Sequence, residues 1–275
     1  MRRPTKPGTI YERALMYLKE THIRADDGIV DFYKNGFCQK FYWQTLHITS
    51  CFTNSIHRKI KSDSFCKVYM YFCPRLPVNG KYERDSDGQK IYCDKYFLYG
   101  LGGLAINVFF DFHRYNLLKN DLDKSKMIAD VFENELLAAF NKYGVGLEGT
   151  TAAKDVFSEI RKNNYVYSGT CKQFLLSPDR TRKVIFHADW KLNGIEIYVH
   201  VRKPRAKRDL CVAYLTIIRS DLNTINAFIR SVVWTSNDEF VATMNDLSGR
   251  KKVFNISECS VKDYEGNDLK TSWQF

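Results

Sequence analysis

The clearest pattern of apolar and polar positions lies between Lys183 and Val201. Val184, Phe186, Ala188 and Trp190 alternate with Ile185, His187, Asp189 and Lys191, the period of two of a half-buried strand. Asn193-Gly194 follows, a pair that tolerates positive φ and marks a hairpin. Ile195, Ile197, Val199 and Val201 then alternate with Glu196, Tyr198 and His200, which predicts the return strand. The first set of four should face the core, because a one-residue slip would exchange the two faces. A further strand is expected from Leu210 to about Ile218.

Elsewhere a helical period predicts a helix over Asp121–Tyr143. Met127, Val131, Leu137 and Phe140 are its apolar positions, Asp123 its N-cap and Gly144 its stop. A second helix is expected from Thr151 to about Lys162, and a third from Asp221 to about Val232. Thr9 with Glu12 at capping-box spacing predicts a helix over residues 10–22. Residues 41–52 are rich in aromatic and β-branched side chains and read as a strand. Further strands are expected at 66–72, 91–99, 104–112, 165–176, 239–244 and 252–262. Turns are expected at Asp26-Asp27-Gly28, Asn79-Gly80, Asp87-Gly88 and 246–249, and a bulge or sheet bend at 100–103. The fold class is therefore α+β, with mixed, mainly antiparallel sheets and a few helices. The glycine-rich stretch 143–149 divides it into two halves, 1–145 and 150–275.

Charge changes this picture most. The 275 residues carry 42 Lys and Arg against 31 Asp and Glu, a net +11. Such a balance favours polyanionic partners without specifying a fold. The basic residues are spread along the chain, except at Arg202-Lys203-Pro204-Arg205-Ala206-Lys207-Arg208. Pro204 cannot donate to a sheet ladder, so this run should leave the sheet as an exposed loop. A Lys/Arg loop carried on a hairpin is suited to following phosphates. Arg58, Lys59 and Lys61 form a second basic patch. The 17 Tyr and 19 Phe supply rings for a core, for base stacking or for a protein interface.

The eight cysteines show no CxxC spacing. Cys51, Cys66, Cys73 and Cys93, with His47 and His57, lack the close pairs of structural zinc. The amino terminus has no apolar leader, and no run is long enough to span a membrane. The expectation is a cytoplasmic protein with all thiols reduced and mostly buried.

Two motifs carry candidate chemistry. Pro178-Asp179 followed by Asp189-Trp190-Lys191 resembles the signature of the restriction-endonuclease-like, PD-(D/E)xK nucleases. The resemblance implies that Asp179 and Asp189 hold Mg²⁺, that Lys191 positions a water beside the scissile phosphate, and that Glu159 serves as the helix acid. His47-Ile48-Thr49 is like one half of the paired HxT/S motif of two-histidine phosphoesterases. No second copy stands at His113, His187 or His200. No other cofactor is implied.

Three functions follow. The first is a nucleic-acid-binding accessory protein using Arg202, Lys203, Arg205, Lys207 and Arg208 with Arg58, Lys59 and Lys61. The second is a protein-binding inhibitor or adaptor, for instance of a mobile genetic element acting on a host system. The third is an Mg²⁺-dependent nuclease.

Overall fold

Alternation between Lys183 and Val201 becomes a hairpin of the expected parity, with Val184, Phe186 and Ala188 fully buried and Ile185, His187, Asp189 and Lys191 half-buried. The computed structural model describes residues 16–25, 36–74, 82–86, 89–93, 95–100, 102–218, 222–243 and 251–263. The Thr9 cap, the turns at 26–28, 79–80, 87–88 and 246–249, and the Asp221 cap fall outside these residues, wholly or in part.

In chain order the strands and helices are β1 (Met16–Tyr17), β2 (Glu20–Ala25), α1 (Phe37–Ser55), β3 (Lys61–Ser62), β4 (Lys67–Cys73), β5 (Tyr82–Ser86), β6 (Gln89–Cys93), β7 (Tyr96–Tyr99) and β8 (Gly103–Phe109). There follow α2 (Phe112–Leu117), α3 (Asp121–Lys142), α4 (Leu147–Lys162), β9 (Tyr167–Leu176), β10 (Lys183–Lys191), β11 (Gly194–Arg202) and β12 (Cys211–Ile218). The chain closes with α5 (Leu222–Arg230), β13 (Val233–Trp234), β14 (Glu239–Thr243), β15 (Lys251–Asn255) and β16 (Ser260–Asp263). The class is α+β, with most strand pairs antiparallel.

The N-terminal sheet has the order β2-β4-β8-β7. Strands β2, β4 and β8 run parallel, and β7 turns back antiparallel onto β8. One face, including Ile23, Val68, Met70, Phe72, Leu104, Ile106 and Val108, is fully buried beneath α1, α3 and α4. Aromatic rings dominate this core: Phe72 stacks on Phe110 at 4.6 Å, and Phe41 meets Phe112 edge-on at 5.1 Å.

Two expectations fail here. Residues 41–52 are helical, not a strand. Phe41, Gln44, Thr45, Ile48, Thr49 and Phe52 are buried at helical spacing, so the period outweighs the β propensity of the side chains. Thr45 and Thr49 donate back to the carbonyls of Tyr42 and Thr45, which occupies their hydroxyls inside the helix. Residues 20–25 form a strand, not the end of a helix, because Thr21, Ile23 and Ala25 bury one face against β4 and α1.

The C-terminal half is a meander, β12-β11-β10-β9, all antiparallel. Its inner face packs on α5 and on a second sheet, β13-β14-β15-β16; Phe186 meets Phe240 edge-on at 6.3 Å. The hairpin turn sits one residue earlier than expected. Lys191 pairs with Gly194, leaving Leu192-Asn193 as the tip, and a Cβ at Gly194 would stand 2.7 Å from the Ile218 carbonyl oxygen. Ala153, Val156, Phe157 and Ile160 of α4 belong to the first core, which also takes in Tyr165 and Leu192. The hairpin tip ties the halves together: Asn193 donates to Asp121 at 2.6 Å, and Leu192 is buried in the first core. Helix α3 is capped by Asn120, which accepts from the Asp123 N–H, rather than by Asp123 itself.

The cysteine expectation needs a correction. Cys211 and Cys259 form a disulfide, joining β12 to the turn before β16. They lie 48 residues apart, so no spacing pattern announces the pair. Cys51 and Cys171 are free thiols.

Candidate nucleic-acid interface

The meander decides where its loops go. In an up-and-down sheet alternate connections share an end. The β9–β10 connection (177–182) and the β11–β12 connection (203–210) therefore lie together, opposite the 192–193 tip. Arg180, Lys203, Arg205, Lys207 and Arg208 are all exposed at this end.

The basic loop is built on a pinned base. Ala206 N–H donates to the Lys203 carbonyl at 3.0 Å, closing a turn with Pro204 in its second position. Leu210 N–H returns to the Val201 carbonyl at 2.7 Å. Beneath the turn, Asp209 accepts from Arg202 Nε at 2.8 Å through one oxygen and meets His200 Nδ1 at 2.9 Å through the other. Burial alone would raise the Asp209 carboxyl, yet His200 and Arg202 hold it below its usual range. Arg202 is thus spent on holding the loop. Lys203, Arg205, Lys207 and Arg208 make no ion pair with any described residue, so four like charges within six residues face solvent. Beside them Phe174 is half exposed, with Lys183 Nζ 4.1 Å above its ring.

The rest of this outer sheet face mixes polar side chains with Ile185, Leu176 and Val212. His187 and His200 meet edge-on with ring centroids 5.7 Å apart. Further from the loop, Lys191 pairs with Glu196 at 2.6 Å, and Tyr198 donates to the same carboxylate at 2.7 Å.

The nuclease-like residues do not converge. Asp179 stands in the turn before β10, where its carboxylate accepts from Ser177 Oγ, Thr181 N–H and Thr181 Oγ1. Those bonds, Ser177's first, hold its carboxyl below the ordinary value. Asp189 lies near the other end of β10, roughly 20 Å along the strand at about 3.3 Å per residue. It accepts from Ser168 Oγ at 2.6 Å. Lys191 is bound to Glu196, and Glu159 accepts from Asn163 on the surface of α4. Among the described residues no three His, Cys, Asp or Glu side chains cluster as metal ligands, so the expected Mg²⁺ pair, Asp179 and Asp189, is not assembled. His47 is buried inside α1 with Nε2 3.0 Å from Ser125 Oγ, and burial lowers its pKa to about 3. It is not positioned as a phosphoester acid or base. Among the described residues no helix is long and apolar enough to cross a membrane.

Of the second expected basic patch, Arg58 and Lys59 are exposed in the turn leading to β3, and Lys61 is exposed at its first position. They lie where β2 and β4 begin, since Leu18 N–H bonds to the Ile60 carbonyl and Lys19 N–H to the Cys66 carbonyl. Sequence reasoning missed Asp209, Arg180, Phe174 and the outer face of the N-terminal sheet. The parity of Glu20–Ala25 and Lys67–Cys73 was the available signal, since it sets His22, Arg24, Tyr69 and Tyr71 on one face. No family model, curated protein or solved structure matches this chain.

Proposed function

We propose that this protein binds nucleic acid through phosphate contacts from Lys203, Arg205, Lys207 and Arg208. One observation carries the reading: these four cations are exposed and make no ion pair with a described residue, while the neighbouring acid, Asp209, is occupied by Arg202 and His200 at the base of the loop. A loop pinned in this way presents charge without collapsing onto its own carboxylate. Arg180 extends the positive end, and Phe174 offers a ring beside it. Arg202 acts as a positioning residue rather than a phosphate contact.

The test replaces Arg205, Lys207 and Arg208 with Ala and measures binding to a labelled oligonucleotide from low to physiological salt. Stability should change by no more than about 0.5 kcal/mol, as for most exposed substitutions. Affinity should fall evenly across sequences. The slope of log affinity against log salt should flatten by about two to three. Unchanged binding in the triple variant would remove the loop from the interface.

A further inference from the structure

The outer face of the N-terminal sheet carries a strip of aromatic rings across its strands. His22 of β2 stacks on Tyr69 of β4 with centroids 5.1 Å apart, Tyr69 lies 5.9 Å from Tyr99 of β7, and Tyr99 stacks on Phe97 at 6.3 Å. Between β4 and β7 runs β8, whose residues on this face are small or covered: Gly103, Ala105 and Asn107 are buried. Gly103 is the telling position. A Cβ there would stand 2.3–2.7 Å from the Tyr99 ring carbons, so the missing side chain lets the tyrosine lie down across the sheet. The 100–103 glycines thus form a hairpin turn and a seat for a ring, not the expected bend.

These rings are not core. Phe97 is 55 % exposed, Phe109 43 % and Tyr99 37 %, on the face opposite the helices. Sheets with parallel strands are ordinarily covered on both faces. Here every described helix that packs on the sheet lies on one side.

The charge around the strip narrows its occupant. At the end where β2 and β4 begin, Lys19, Arg58, Lys59 and Lys61 are exposed, and none makes an ion pair with a described residue. Lys67, on the strip's own face, is paired with Glu20 at 3.1 Å. Towards the other end of β2, Arg24 is exposed on the same face as His22. Burial, with Tyr69 and Tyr71 close by, pushes the Tyr99 phenol up to about 12, so it adds no negative charge at neutral pH.

From this juxtaposition we propose that the outer face of the N-terminal sheet binds single-stranded nucleic acid, with bases stacked on Phe97, Tyr99 and Tyr69 and the backbone drawn along the Lys19/Arg58–Lys61 end. Stacking on open rings needs bases released from a duplex, and a cationic rim follows the strand's phosphates. A strip of this length takes about two or three bases. The inference deepens the proposed function by naming the form of nucleic acid, at a site separate from the 203–208 loop.

The full chain is titrated with labelled 20-nucleotide oligo-uridine, oligo-thymidine and a duplex of the same length. Single strands should bind more tightly than the duplex, with or without the 2′-hydroxyl. Phe97→Leu with Tyr99→Leu keeps apolar surface but removes the rings. It should weaken single-strand binding about tenfold or more, since each base–ring stack carries a factor of that order, and leave duplex binding unchanged. Gly103→Ala keeps every ring but tilts Tyr99, and should act in the same direction. Ultraviolet crosslinks to oligo-thymidine should map to β7 and β4. Should the leucine variants misfold, replacing Arg58, Lys59 and Lys61 with Ala keeps the question open to test, with weaker and less salt-dependent single-strand binding expected. The inference is overturned if the leucine variant binds single strands like wild type, if crosslinks map away from this sheet, or if only a protein, a second copy of the chain included, is retained by the ringed face. If the leucine variant is silent while the loop triple variant loses all binding, the proposed function stands and this inference falls. If wild type binds no oligonucleotide at low salt, both fall.

Discussion

Two of the three four-stranded sheets among the described residues, β2-β4-β8-β7 and the meander β12-β11-β10-β9, are built alike and finished differently. Each buries one face under its own core and leaves the other to solvent. On the meander the outer face mixes exposed Phe174, Leu176 and Val212 with His187, Asp189, Lys191, Glu196 and Tyr198, polar groups that satisfy one another within and between strands. On the N-terminal sheet the outer face carries a run of rings in contact with one another, with Glu20 beside His22 and Lys67. The meander puts its unpaired charge in a loop beyond the sheet; the N-terminal sheet keeps its cations beside the rings. The difference shows why composition alone is a poor guide. The same Tyr and Lys content serves in ion pairs and hydrogen bonds on one sheet and in a strip of touching rings on the other.

The contrast assumes that each half has its own core, and the largest expected effect tests that. Phe186→Ala removes a fully buried ring from the second core and should cost about 3–5 kcal/mol. If the halves are distinct in stability, hydrogen exchange should show protection lost mainly in β9 to β16, with α1 and β4 less affected. Uniform loss would mean that the Leu192-Asn193 tip couples the halves into one cooperative unit.

The disulfide sharpens the same division. Reducing Cys211–Cys259, or replacing both residues with Ser, releases a loop of about fifty residues, a closure that stabilises by about 4 kcal/mol in the chain-entropy account. The loss should appear in thermal melts as a lowered transition in the C-terminal half alone. Thiol titration of the unfolded, unreduced chain should fall short of eight by at least this pair.

A smaller effect belongs to the N-terminal half. The buried His47 has its folded pKa depressed to about 3 from 6.5. The unfolded chain therefore takes up a proton there first as pH falls. Stability from this residue is complete above about 6.5 and declines between 6.5 and 3, by about 2 kcal/mol at pH 5. Denaturant midpoints measured from pH 7.5 to 4.5 should fall accordingly, and His47→Gln should flatten that dependence. An unchanged slope in the variant would assign the acid sensitivity to other groups.

Elements with a strong local period were legible. The 183–201 hairpin, α3, α4 and the strands at 66–72 and 165–176 follow from alternation or helical spacing, because their buried faces repeat regularly. Where composition and period disagreed, composition misled: α1 is rich in Phe, Tyr, Trp, Thr and Ile, yet it is a helix, buried on both flanks of a face from Phe41 to Phe52 with an unbroken buried run at Gln44–Thr49. The parallel pairing of β2, β4 and β8 was not legible, since partners far apart in the chain leave no local mark. For the same reason Cys211 and Cys259 could not be matched. The basic loop was readable from Pro204 and its charges. The role of Asp209 was not, because its meaning depends on Arg202 and His200 reaching back to it. The ring strip was half readable. The parity of β2 and β4 places His22, Arg24, Tyr69 and Tyr71 on one face, but only the three-dimensional order sets Tyr99 over Gly103.

That parallel order has a kinetic side. Completing the N-terminal sheet requires Glu20 to meet Lys67 and Lys67 to meet Gly103, each pairing closing a long stretch of chain. Strands of the meander meet their neighbours across short turns. Loop closure costs more as the closed stretch lengthens, and non-local pairings slow folding. On the ribosome the half made first is therefore the slower to finish. Its strands β2 and β4 wait longest for partners, and expression yield should depend more on temperature and rate of synthesis through them than through any part of the hairpin half.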